Sequence, residues 1–154
     1  MINTRRLGAG LTPRSLSTIL VMSVVMSGLV SGLMSGCTTK ISDSVITRIS
    51  TTEASKRQGA GKALFIDTRP GPDFTRGHIP GAINLRLGDI SYTDRDPRLT
   101  DRSPLIVYGE NPGSATAMAM AKRLLELEYE GVAFYEPGFA GWRSAGLPVD
   151  RSGD

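Results

Sequence analysis

Ala63-Leu64-Phe65-Ile66, Leu105-Ile106-Val107-Tyr108 and Val132-Ala133-Phe134-Tyr135 are uninterrupted apolar runs of four residues. A strand with one wet face alternates apolar and polar residues. A run apolar at every position suits a strand buried on both faces, as in a parallel sheet covered by helices. Helix-like segments separate these runs. The clearest has Ala117, Met118, Ala121, Leu124 and Leu125 at i, i+1, i+4, i+7 and i+8, with Lys122, Arg123 and Glu126 outward. Alternation of this kind with short loops predicts an α/β fold, a single domain whose parallel sheet is flanked by helices on both faces.

Shorter elements complete the pattern. Residues 45–49 read as a first strand. Ser50 and Glu53 form an S-x-x-E capping box that opens a helix to about Gln58. Residues 70–76 can make one or two helical turns, 82–85 another short strand, and 138–145 a last helical segment. Residues 86–103 hold four aspartates and four arginines among few apolar side chains, and predict a short helix and a solvated loop.

The first 36 residues have a different character. The chain carries 18 Lys plus Arg against 15 Asp plus Glu, a net charge of +3. Arg5, Arg6 and Arg14 account for the whole excess, because 1–36 contain no acid and the remainder balances at 15 of each sign. The high pI therefore gives no reason to expect a nucleic-acid partner. A basic start, the apolar Ile19-Leu20-Val21-Met22-Ser23-Val24-Val25-Met26 and small residues ending Leu33-Met34-Ser35-Gly36-Cys37 have the order of a secretory signal peptide. The end resembles the lipobox of bacterial lipoproteins, with Met34 in place of the usual Leu. That resemblance implies an acylated (palmitate-type) Cys37 as the new N-terminus. Two alternatives are a retained transmembrane anchor, diluted by six serines and three glycines over 15–39, and an incidental thiol. The expected organisation is a lipoprotein signal peptide at 1–36, a lipidated tether at 37–44, a domain at 45–150 and a tail at 151–154. Thr38 stands where the family's inner-membrane retention signal would be Asp. By resemblance the destination is lipid-anchored and extracytoplasmic, on the outer membrane facing the periplasm if the cell has one.

Within 45–150 the chain resembles the rhodanese-like family. Leu64-Phe65-Ile66-Asp67-Thr68-Arg69 looks like that family's strand ending in D-x-R, and Asp73-Phe74 like its E-F or E-Y pair. Gly77-His78-Ile79-Pro80-Gly81-Ala82-Ile83-Asn84-Leu85 matches its most specific motif. Glu136, Gly138, Trp142 and Ala145-Gly146-Leu147-Pro148-Val149 match its close, with Pro137 replacing a glycine. The resemblance implies a parallel sheet and an active loop after the strand 105–108. A cysteine there carries a persulfide, cradled by backbone N–H groups and a helix N-terminus, and an arginine at the loop's end binds anionic sulfur donors.

Here that loop reads Gly109-Glu110-Asn111-Pro112-Gly113-Ser114-Ala115-Thr116. Gly109 stands where the resemblance places the cysteine, and Ser114 or Thr116 where it places the arginine. Glu110 brings a negative charge to the position of an anionic substrate. Thiol sulfur transfer and cysteine-phosphatase chemistry both lack their nucleophile, so no catalytic residue is assigned. Ser114 as a helix N-cap outweighs Ser114 as a nucleophile, since the chain has one histidine. His78 is read as structural, orienting the turn before Pro80-Gly81, rather than as a general base. Asp67 is read as a buried acid bonded to loop backbone, Arg69 as a surface partner of Asp73, and Trp142 and Phe139 as core anchors. One histidine and one cysteine, Cys37, give no reason to expect a metal or other cofactor. The amides of Gly113 to Thr116 are expected to point outward. Glu110, without a compensating arginine, is expected to oppose tight anion binding there.

The function expected is a membrane-tethered binding module that has lost sulfurtransferase chemistry, a pseudoenzyme with an unidentified protein partner. Sulfurtransferase-type activity is the enzyme-class alternative, and a structural envelope lipoprotein the third.

Overall fold

In the three apolar runs successive side chains point to opposite faces of the sheet, so each run feeds two cores. The computed structural model describes residues 40–152. Strands β1 (Thr47–Ile49), β2 (Leu64–Asp67), β3 (Ile83–Asn84), β4 (Leu105–Tyr108) and β5 (Val132–Tyr135) form one sheet in the order β1-β5-β4-β2-β3. Every neighbouring pair is parallel. Between the strands run helices α1 (Thr51–Gly59), α2 (Gly71–Arg76), α3 (Ala115–Glu126) and α4 (Gly138–Ser144). One face of the sheet presents Ile66, Leu105, Val107, Val132 and Phe134 to Ala117, Met120, Ala121 and Leu124 of α3. The other presents Phe65, Ile106, Tyr108, Ala133 and Tyr135 to Ala54 of α1 and to Phe139 and Trp142 of α4. Trp142 is fully buried, meets the Phe65 and Tyr135 rings edge-on, and donates its indole N–H to the Pro148 carbonyl at 2.7 Å. Among the described residues, both cores are built from residues between 46 and 149.

Several expectations are corrected. Val45 is not in the first strand: Asp43–Val45 make a 3₁₀ turn and Val45 is exposed. The expected tether therefore acquires structure at its end, where Asp43 is ion-paired with Lys122 of α3. Ser50 caps α1 by accepting the Glu53 N–H at 3.2 Å, while the Glu53 carboxylate turns to Arg57 at 2.7 Å rather than closing the box. On α3 the fully buried methionine is Met120; Met118 and Leu125 are half-buried at the edge of the core. Residues 86–103 contain 3₁₀ turns at Leu87–Asp89 and Pro97–Leu99, and fix Ile90 and Leu99 in the core. No helix among the described residues is long and apolar enough to cross a membrane. Residues 1–36 and Cys37 lie outside the described residues.

The register aligns Asp67, Tyr108 and Tyr135 across the sheet. The segments after β2, β4 and β5 consequently leave from the same carboxyl end. After β2 the chain crosses to β3 on one side; after β4 it crosses to β5 on the other. That divergence opens a crevice between the ends of β2 and β4, the position at which open parallel sheets hold ligands.

The α3 register is tested by truncation in residues 41–154. Met120→Ala is expected to destabilise by about 2–5 kcal/mol, and Met118→Ala by less than half of that, measured as urea midpoints. Equal losses would contradict the register.

Candidate functional site

The crevice is organised by Arg69. Two residues past the end of β2, its guanidinium has 5% side-chain exposure and its partner Asp67 has 0%. The Arg69 backbone N–H donates to Asp67 Oδ1 at 2.9 Å, Nε donates to both carboxylate oxygens at 3.0 and 3.1 Å, and Nη2 to Oδ2 at 2.6 Å. Nη2 also donates to the Gly77 carbonyl at 2.7 Å, and Nη1 to Glu110 Oε2 at 2.8 Å. Burial favours the neutral guanidine, but hydrogen bonds and charge from Asp67 outweigh it and hold Arg69 more firmly protonated than usual. The guanidinium also lies 3.9 Å from the centroid of the Phe139 ring, a cation–π contact. The expected Arg69–Asp73 surface pair is therefore corrected: Asp73 pairs with Arg76, and Arg69 is turned inward. Arg69 thus grips the Asp67 carboxylate with backbone and side chain together.

Asn84 ties the same corner by donating its amide to the Asp67 and Arg69 carbonyls at 3.0 and 2.9 Å. His78 is buried, stacks on Phe74 at 3.8 Å, and donates Nδ1–H to the Phe74 carbonyl at 3.0 Å. Its backbone pairs with Asp150 in an antiparallel bridge, so it joins the end of α2 to the C-terminal segment. Gly77 is buried behind it, and Pro80 and Gly81 continue into the turn closed by the Ala82 N–H on the Ile79 carbonyl. Tyr108, the last residue of β4, is fully buried and its hydroxyl accepts the Ile79 N–H at 3.2 Å. Burial, then the Asp67 charge, pushes its phenol up, so it stays neutral.

The loop after β4 is folded onto α4. Phe139 N–H donates to the Gly109 carbonyl at 2.9 Å and Ala140 N–H to that of Glu110 at 2.7 Å. This approach requires glycine at 138: its φ is +64°, and a Cβ there would lie 2.8 Å from the Gly109 carbonyl oxygen. Glu110 is not left without a cation, contrary to expectation. Its carboxylate is shared between Arg69 and Arg143, whose Nη2 lies 3.2 Å from Oε1. Asn111, Pro112 and Gly113 are exposed at the tip. Ser114 caps α3, accepting the Ala117 N–H at 3.4 Å, and its own N–H is bonded to the Asn111 carbonyl at 3.3 Å. The expectation that every amide from Gly113 to Thr116 faces outward is corrected at that residue. Ser114 also faces Gly109. A Cβ on Gly109 would lie 2.5 Å from Ser114 Cβ, and closer still to Oγ.

The family model for the rhodanese-like domain matches residues 50–145. The chain belongs to the rhodanese-like domain family. Within it the chain is 35% identical over 104 residues to the HTH-type transcriptional regulator Rv0324 of Mycobacterium tuberculosis, covering 67% of this chain and 44% of the regulator. The BH2092 protein from Bacillus halodurans shares the fold with a TM-score of 0.63 at 22% identity, over 71% of this chain and 80% of that one. A thiosulfate sulfurtransferase from Pseudomonas aeruginosa aligns with a TM-score of 0.57 at 27% identity, over 69% of this rhodanese-like chain and 20% of that enzyme. The chain thus spans less than half of the regulator and of the sulfurtransferase.

Sequence reasoning brought Asp67, Arg69, Gly109, Glu110, Ser114 and Trp142 to attention, and the first five meet at the crevice. It missed Arg143 and the bridging role of Asn84. Linear spacing carried no signal for Arg143, which reaches Glu110 only because α4 packs on the loop.

Packing of Gly109 against Ser114 gives a double-mutant test. Gly109→Ala is expected to cost about 1–3 kcal/mol through overpacking. In a Ser114→Gly background the same change should cost less than half as much, and thermal melts of the four proteins give the coupling. Equal costs in both backgrounds would contradict the contact.

Proposed function

We propose that this rhodanese-like domain carries no sulfur-transfer chemistry and acts as a binding module, presented outside the cytoplasm on a lipid anchor at Cys37. The observation that carries the reading is Gly109 with Ser114 packed against it. A persulfide carrier needs a side chain directly after β4 with free space and backbone donors around its sulfur. Here the residue at that place has no side chain, and the space a Cβ would need is held by Ser114. Glu110, next in the chain, is paired with Arg69 and Arg143 from within the domain. Fixed at both ends, the loop offers Asn111, Pro112 and Gly113 at an exposed tip, and binding surfaces on rigid scaffolds are commonly built this way. The partner expected is a protein; crosslinking in intact cells from a probe at Asn111 would identify it.

Lipid attachment draws its support from the 33–37 lipobox-like sequence. More than one acyl chain, each buried CH₂ contributing about 0.8 kcal/mol, would hold the domain stably at a membrane surface.

Residues 41–154 are expected to show no thiosulfate:cyanide sulfur transfer above a protein-free blank. Gly109→Cys should restore little, because Ser114 crowds the new side chain and no arginine closes the loop. Enzyme-level turnover by the wild-type domain would overturn the non-catalytic reading. For the anchor, Cys37→Ser should leave precursor unprocessed and abolish fatty-acid labelling; normal processing and labelling of that variant would exclude it.

A further inference from the structure

Beside Glu110 lies an open cleft of about 560 Å³ bounded by α2, α4 and the C-terminal segment, with no residue of α3 in its lining. Four guanidinium groups line it, those of Arg69, Arg76, Arg143 and Arg151, against only two carboxylates, Asp73 and Glu110. The cations come from separate stretches of chain that the fold brings together. They are not equally engaged. Arg69 is committed to Asp67, Gly77 and Glu110. Arg143 shares Glu110 and is 57% exposed; Arg76 is paired with Asp73 and 78% exposed. Arg151 is exposed and has no ion pair among the described residues. The domain as a whole balances its charges, so this excess is local.

We infer that the cleft binds a dianionic oxyanion, a phosphate monoester or a small dicarboxylate, between Arg76, Arg143 and Arg151. Planar guanidinium forks match paired oxygens of phosphate and carboxylate. Arg69 is balanced by buried Asp67, so Arg76, Arg143 and Arg151 exceed Asp73 and Glu110 by one charge. A dianion gains from several of these guanidinium groups at once, whereas an isolated monoanion is weakly held at physiological ionic strength. The volume lies within the range of small-ligand sites. Glu110 sets the affinity: its carboxylate occupies part of the field of Arg69 and Arg143 and opposes the incoming anion. The cleft is distinct from the cradle of the loop, which Ser114 fills, and it requires no nucleophile. It extends the non-catalytic reading of this end of the sheet to a second ligand. Turnover in the sulfur-transfer assay would overturn that reading; a silent titration would overturn the cleft alone.

The test is an amide NMR titration of residues 41–154 with methyl phosphate and with succinate, against a chloride control. Saturable shifts are expected at Gly77, Phe139, Arg143 and Arg151, half-maximal at about 1 mM or below for at least one of the two dianions. Which dianion binds more tightly identifies the source chemistry. Arg143→Gln and Arg151→Gln, both at exposed positions, should each weaken binding by at least about fivefold, and Glu110→Gln should strengthen it by at least as much, about fivefold being the effect of one pair of unit charges near contact in water. Shifts centred on Ala115 and Thr116, no saturation with either dianion, saturation matched by chloride, or weaker binding by Glu110→Gln would each overturn the proposal.

Discussion

A guanidinium removed from water is stable only when its donors are satisfied and its charge is matched, and Arg69 meets both conditions inside its own corner of the fold. It binds Asp67 bidentately, the Gly77 carbonyl at the end of α2, and Glu110 in the loop after β4, while its face lies on Phe139 of α4. The three segments that leave the sheet at one end, after β2, β4 and β5, are tied to a single cation. Loss of either buried partner would strand a charge, which costs far more than the pair contributes when whole. The arrangement of the site follows from that requirement.

The loop inherits its shape from this anchor. With Glu110 drawn toward Arg69 and Arg143, the Gly109 and Glu110 carbonyls face the first amides of α4, and Gly138 permits the approach. Ser114 caps α3 from the other end and closes the space beside Gly109. Charge that would attract or repel a substrate is thus consumed internally on one side, while α2, α4 and the C-terminal segment leave a cationic excess on the other.

The sheet was legible because burial on two faces leaves a simple mark, and the 63–66, 105–108 and 132–135 runs carry it without interruption. The Gly77 to Leu85 motif and Trp142 identified the rhodanese-like domain for the same reason: local residues at fixed spacing. Arg69 was misread because D-x-R followed four residues later by Asp73 looks like a surface helix pair. Nothing along the chain states that Arg69 faces the Gly77 carbonyl and Glu110, forty-one residues away. Met118 was placed in the core ahead of Met120 because both fit a broad apolar stripe, and only contact with the sheet separates them. Val45 continued an apolar-looking strand, yet the chain turns there to set Asp43 against Lys122. Long-range ion pairs are properties of topology, and the sequence encodes them without displaying them.

The claim on which the account turns is that Arg69 is a buried cation, hydrogen-bonded through all three nitrogens, that joins Asp67 to Glu110. Side-chain ¹⁵N NMR of the arginines reads this directly. The Arg69 Nε–H and Nη–H groups are expected as resolved, slowly exchanging signals at neutral pH, distinct from those of exposed Arg76 and Arg151, and the Nη1 signals alone should move in Glu110→Gln. A single averaged, rapidly exchanging Arg69 guanidinium, unaffected by that substitution, would contradict the account.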